Sequence, residues 1–143
     1  LLPSVGGRVS LRCLGDVRVE GTLERVGPDW LLVDEGDGRE ALVTHSAMLT
    51  VGGLGRLSAA PSTFGRVESR LGLASALREL ARDRAPVRAH LTDATVLAGT
   101  VDRVGADFFE LATHAGGDHR RRTEVQEVLI VTHRAVSVIR RDA

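Results

Sequence analysis

Gly21-Thr22-Leu23-Glu24-Arg25-Val26-Gly27-Pro28-Asp29 and Gly99-Thr100-Val101-Asp102-Arg103-Val104-Gly105-Ala106-Asp107 are one stretch of sequence used twice. Six of the nine positions are identical, Leu/Val and Glu/Asp are conservative, and an aromatic follows each copy, Trp30 or Phe108. Further on, Val43-Thr44-His45-Ser46-Ala47 returns as Val131-Thr132-His133-Arg134-Ala135. The first match is offset by 78 residues and the second by 88, so the second copy carries ten extra residues around His114–Arg122. Two matched blocks in the same order mark a tandem duplication. Each copy spans about 45 to 55 residues, near the lower limit for a self-sufficient core. Two such units are expected to bury surface against each other or against further chains.

Within a copy, alternation and turn signals give five short strands. In the first they fall at Val9–Cys13, Val17–Val26, Trp30–Asp34, Glu40–Thr44 and Met48–Val51. In the second they fall at Val87–Leu91, Thr95–Val104, Phe108–Thr113, Val125–Val131 and Val136–Arg140. Val26 breaks the alternation of Val17, Val19, Gly21 and Leu23, as a bulge in a long strand would. Gly21 and Gly99 mark a bend or a close backbone approach. Between the copies, Gly52-Gly53-Leu54-Gly55 through Pro61-Ser62 reads as a flexible linker, placed at 52–65. Val67, Leu71, Ala74, Leu77 and Ala81 then form one apolar helical face, predicting a helix over about 66–84 that Pro86 ends. The expected division is a first unit over 1–51, its own helix lying upstream of Leu1, and a second unit over 66–143.

Composition narrows the function classes. The 143 residues are 43% apolar and 27% charged, and no apolar run is long enough for a membrane helix. The opening Leu1-Leu2-Pro3-Ser4 does not read as a signal peptide. The lone Cys13 excludes an internal disulfide framework and fits a reducing cytoplasm, and its place in the Val9/Leu11 alternation makes it a core residue. All 19 basic residues are Arg, with no Lys, Asn or Tyr, which points to a high-GC, bacterial genome. Formal net charge is zero. By segment, residues 1–51 carry −3, residues 52–85 carry +3, and residues 86–143 balance. Nucleic acid, if bound, is therefore favoured at the linker helix and the second copy.

A short helix before five bent antiparallel strands resembles the Sm-like (LSm) fold. Val9-Ser10-Leu11-Arg12 through Gly15, then Val19-Glu20-Gly21-Thr22-Leu23-Glu24, look like the first Sm motif, and Gly27-Pro28-Asp29-Trp30-Leu31-Leu32 resembles the third-strand entry. Val43 through Val51 looks like the closing segment of the Hfq-type branch, which carries lysine-histidine-alanine before a short apolar strand. The resemblance implies a mainly all-β protein of two tandem five-stranded bent antiparallel small barrels, joined by the linker and the helix. It also implies single-stranded RNA as ligand, and rings of six or seven units closed by pairing strand four of one unit with strand five of the next. A chain of two units would close such a ring as a homotrimer. The sequence departs from the family at the uridine pocket. Trp30-Leu31-Leu32 and Phe108-Phe109-Glu110 hold no Asn, and neither closing segment has Arg-Gly.

The candidate RNA contacts are His45, Ser46, His133 and Arg134, where the Hfq-type lysine and histidine would stand, and the basic run Arg120, Arg121, Arg122 beside His119. For the two histidines, base or phosphate contact competes with a plain turn-stabilising hydrogen bond. For the arginines, phosphate recognition competes with a solvated hairpin tip. His114, Asp118 and His119 lack a fourth ligand, so no metal site is expected. Gly52-Gly53-Leu54-Gly55 lacks the context of a phosphate-binding loop, so no cofactor is expected either. Trp30, Phe108 and Phe109 open apolar strands and are assigned to the core. No nucleophile–base arrangement stands out, so the expectation is a non-catalytic binding protein. A module that recruits protein partners by strand addition is the rival reading, favoured by the missing pocket residues and the acidic first copy. Another small barrel, of the PRC type, shares the glycine-bent strand.

Overall fold

The computed structural model of the chain describes residues 5–53, 71–114 and 125–142. It is mainly all-β. The strands are β1 Arg8–Cys13, β2 Val17–Val26, β3 Trp30–Gly36, β4 Arg39–Thr44 and β5 Met48–Gly53 from the first copy. The second copy supplies β6 Pro86–Leu91, β7 Val96–Val104, β8 Phe108–His114, β9 Val125–Thr132 and β10 Val136–Arg141, preceded by the helix α1 Leu73–Asp83. Each strand falls within two residues of its expected place. The second strand has lost its simple alternation where Val26 forecast it: pairing shifts register between Leu23 and Arg25, and the equivalent β7 shifts between Val101 and Val104.

The strands do not form two separately closed barrels. They make one open antiparallel sheet of ten, in the order β5-β1-β2-β3-β4-β10-β6-β7-β8-β9. Each copy contributes five strands in the same internal order, and the copies join where β4 pairs with β10, matching Val43 with Val138, Leu42 with Ile139, Ala41 with Arg140 and Glu40 with Arg141. This seam crosses the repeat boundary, which is why one continuous sheet results.

Two cores form, and they interlock through the seam. Val138 of β10 joins Val9, Leu11, Val19, Leu23, Val33 and Val43 in the first. Trp30 and Leu42 of the first copy join Leu77, Val87, Phe109, Leu111 and Ile139 in the second. Neither copy has a core made only of its own residues, which answers the size problem of a 50-residue unit. Cys13 and Trp30 are buried in these cores, as assigned, and so is Phe109, while Phe108 is half-buried. Burial pushes the Cys13 thiol up to about 11.

Helix α1 lays Leu73 and Leu77 into the second core and packs against β7. It ends where Arg84 adopts left-handed backbone, two residues before Pro86 opens β6. The proposed linker lies largely outside the described residues, as do residues 66–70 of the expected helix, whereas Leu71 and Gly72, also expected within it, precede the helix, which begins at Leu73. β5 continues through Gly52 and Gly53, which were assigned to the linker, because they pair with Ser10 and Val9.

Gly21 and Gly99 are close-approach glycines. A Cβ on Gly21 would strike the carbonyl oxygen of Asp34 on β3, and one on Gly99 that of Ala112 on β8. Gly21→Ala or Gly99→Ala is expected to cost about 1–3 kcal/mol through backbone displacement. Gly52→Ala, where the nearest atom is Ser10 O at 3.8 Å, should stay within about 0.5 kcal/mol. Urea unfolding of the three variants checks this ordering.

Candidate functional site

In both copies the fourth strand ends in threonine, and a single turn of 3-10 helix follows: His45–Ala47 and His133–Ala135. Each turn is tied to its own copy's strand-two to strand-three loop. The His45 amide donates to the Asp29 carbonyl (3.0 Å), and the His133 amide donates to the Asp107 carbonyl (2.9 Å). The repeated Gly-x-Asp thus has a structural task in both places, which explains its reappearance.

The seam brings the two turns together. Thr44 is buried, and its hydroxyl, at 3.0 Å from Val136 O and 3.3 Å from Ser137 O, ties the end of β4 to the start of β10. A cleft of about 450 Å³ opens there, lined by Pro28, Asp29, Thr44, His45, Ser46, Leu73, His133 and Arg134. Four of the seven residues proposed as RNA contacts, His45, Ser46, His133 and Arg134, therefore meet in one place although 88 residues separate the histidines. Arg120, Arg121 and Arg122 lie outside the described residues.

Sequence reasoning missed Asp29 and Leu73. Asp29 Oδ1 accepts the Leu73 amide (3.0 Å), capping from a distant loop a helix whose own N-cap residue is Gly72. Trp30 Nε1 donates to Leu71 O (2.9 Å) beside it, while the Trp30 ring lies under the Arg25 guanidinium at 5.2 Å. The Gly27-Pro28-Asp29-Trp30 stretch therefore clamps α1 to the rim of the cleft. The available signal was the acidic residue preserved at both copies' loops.

Both imidazoles are partly withdrawn from water. Burial pulls the His45 pKa below its ordinary value, against the opposing pull of Asp29 and of the Trp30 backbone. Burial likewise lowers His133, whose ring stacks on buried Phe109 with centroids 6.2 Å apart and planes 30° from parallel. At neutral pH the cleft thus presents two neutral aromatic rings, the exposed Ser46 and the exposed Arg134 guanidinium. That combination can take a planar ring against imidazole while one guanidinium meets an anionic group. Among the described residues, no group of three or more His, Cys, Asp or Glu side chains is placed to hold a metal ion. Of the weighed metal candidates, His114 ends β8 with Nε2 3.5 Å from Thr100 Oγ1, and Asp118 and His119 lie outside the described residues.

The histidine shifts fix a sign for the pH dependence of stability. With folded values depressed below 6.5 for His45, His133 and also His90 on β6, the unfolded chain binds more protons as acid is added. Their contribution is present above pH 6.5 and is lost as pH falls through the folded values. The urea midpoint should therefore fall between pH 7.5 and pH 5. His45→Gln with His133→Gln should flatten that fall, whereas a midpoint that rises on acidification contradicts the assignment.

Comparison with known proteins places the chain in no family: no family model matches it and no curated protein matches its sequence.

Proposed function

We propose that the chain is an Sm-like, non-catalytic protein that assembles head to tail into a ring of three chains, and that single-stranded RNA is its ligand. One observation carries the reading. The internal seam joins a fourth strand, β4, to a fifth strand, β10, which is the pairing that the Sm-like resemblance implies between neighbouring units. The sheet then ends on a fifth strand, β5, and a fourth strand, β9. Its two edges are complements.

Exposure supports this. On the internal seam Leu42 is 5% exposed and Ser137 0%, whereas their repeat equivalents on the free edges, Ile130 and Leu49, are 68% and 59% exposed. Thr44 is buried, and Thr132 is exposed. Apolar side chains left bare on unpaired edges are the pattern a strand partner would cover. Carrying the internal register across the repeat gives the interchain register: Val131 opposite Thr50, Ile130 opposite Val51, Leu129 opposite Gly52 and Val128 opposite Gly53. Such a heterologous contact closes only if its rotation does, and six equal units are the size at which three two-unit chains fit the family's rings.

RNA enters through the resemblance and through the imidazole-and-guanidinium cleft, in which bases have rings to stack on and phosphate has Arg134. A protein-recruiting scaffold remains the second reading, favoured by the charge of −3 on residues 1–51.

Light scattering at tens of micromolar should give roughly three times the 15.3 kDa chain mass. Ile130→Lys, at an exposed edge position, should shift the population to single chains with an unchanged circular dichroism spectrum. A wild-type mass of one chain overturns the ring. Binding of a short single-stranded RNA that weakens steeply with salt and is lost in His133→Ala/Arg134→Ala supports the ligand. No binding at 50 mM salt leaves the scaffold reading in its place.

A further inference from the structure

The β4–β10 seam has a second cleft at its opposite end, where β4 begins and β10 finishes. About 430 Å³ in volume, it is lined by Arg18 and Glu20 of β2, Glu35 of β3, Arg39 of β4, Arg88 of β6 and Arg140 of β10. Every lining side chain is charged, and four are guanidinium groups.

Two of these charges are spent on each other. Arg140 Nε and Nη2 each lie 3.0 Å from a carboxylate oxygen of Glu35, both side chains being mostly buried, and Nη2 also donates to the Arg18 carbonyl. Three guanidinium groups then face Glu20. Arg18 makes no ion pair among the described residues, and Arg39 reaches only Asp37, at 3.9 Å between two largely exposed side chains. Arg88 is held by Asp142 through Nη2 at 3.0 Å, yet its Nε is buried with no acceptor among the described residues. The Arg88 side chain as a whole is 43% exposed, so its guanidinium keeps further donors for an oxyanion entering the cleft. The positive field is felt next door: His90, whose Nε2 lies 3.4 Å from Arg140 Nη1, is depressed first by burial and then by the Arg140 and Arg88 charges, with Glu35 opposing.

The fold does not require these arginines. At the repeat-equivalent positions of Arg18, Arg39, Arg88 and Arg140 stand Val96, Glu127, Ser10 and Gly52. The duplicated scaffold forms its strands with either set, so the cluster belongs to this seam alone. Nor is any lining residue aromatic or apolar.

We propose that this cleft binds an anion carrying two or more phosphoryl groups, held by Arg18, Arg39 and Arg88. Guanidinium forks match phosphoryl oxygens in pairs, and three forks from three strands suit a ligand with several oxyanion centres. Arg140 is a positioning residue, locked by Glu35 so that its neighbours keep their places. The site is complete in one chain and stands whether or not the ring or its RNA ligand does.

Sodium tripolyphosphate titrated into the full chain at 25 mM salt, followed by calorimetry, is the test. One site per chain is expected. Arg18→Ala/Arg39→Ala, both at exposed positions, should weaken binding about tenfold or more. Glu20→Gln, which removes the opposing charge, should tighten it about twofold or more. Absence of heat and of any thermal shift, or equal affinity in Arg18→Ala/Arg39→Ala with an unchanged circular dichroism spectrum, overturns the proposal. Adding a short single-stranded RNA identifies the phosphate source. Competition with tripolyphosphate gives the site to the RNA backbone, and independence gives it to a small polyphosphate. Both outcomes support a phosphoryl site, and RNA binding that survives Arg18→Ala/Arg39→Ala tests the histidine cleft separately.

Discussion

Antiparallel pairing of β4 with β10 is the constraint on which the rest of the molecule depends. Four matched residue pairs, the Thr44 hydroxyl bonded to β10 carbonyls and the Glu35–Arg140 ion pair hold it. A single buried hydrogen bond contributes only about 0.5–1.5 kcal/mol. A buried ion pair contributes little net against apolar replacements, although breaking one partner away is expensive. The larger share comes from what pairing permits: Val138 entering the first core, and Trp30 and Leu42 the second. Without the seam, each copy would expose those side chains and be left with a core near the size limit. Both clefts lie at the ends of this one pairing, so the interaction that stabilises the fold also shapes them.

Much of this was legible in the sequence, for identifiable reasons. The strand positions followed from alternation and from Gly-Asp turns, which are local properties. Gly21 and Gly99 announced the close approach because no other residue tolerates a carbonyl where Cβ would be. The duplication itself paired His45 with His133. What local patterning does not carry is which edge meets which. β4 and β10 both read as short apolar strands, and nothing in Ala41-Leu42-Val43 says that its partner lies almost a hundred residues away. The continuous sheet, in place of two closed barrels, is a consequence of that pairing. The arginine cleft was invisible for the same reason, since its six members are scattered over five strands. Asp29 does lie in the loop between β2 and β3, but its capping role is not a local property because its target, the Leu73 amide, lies on another element.

Duplication followed by divergence explains why the two halves are alike in backbone and unlike in chemistry. Residues that make the strand geometry stayed: the two close-approach glycines, the loop aspartates that accept the histidine amides, and the histidines themselves. Other residues changed, and where Arg140 is locked to Glu35 in the seam, the equivalent positions are Gly52 and Thr113. The internal seam thus has an ionic clasp that its external counterpart cannot form.

That difference bears on how the proposed ring would behave. Pairing of β9 with β5 of another chain would bury Ile130, Val128 and Leu49, an apolar contact without the clasp and without a tether. The internal seam is formed at the effective concentration of a single chain, whereas the external one must recover the entropy of association from apolar burial and strand hydrogen bonds. The external seam is therefore the weaker of two otherwise equivalent joints. A ring built this way opens between chains and not within them, so each released piece is a whole chain. Each piece carries the histidine cleft at one end of its seam and the arginine cleft at the other, intact. Both clefts are thus present before assembly, and in a closed ring the complementary edges are paired with each other instead of with foreign strands.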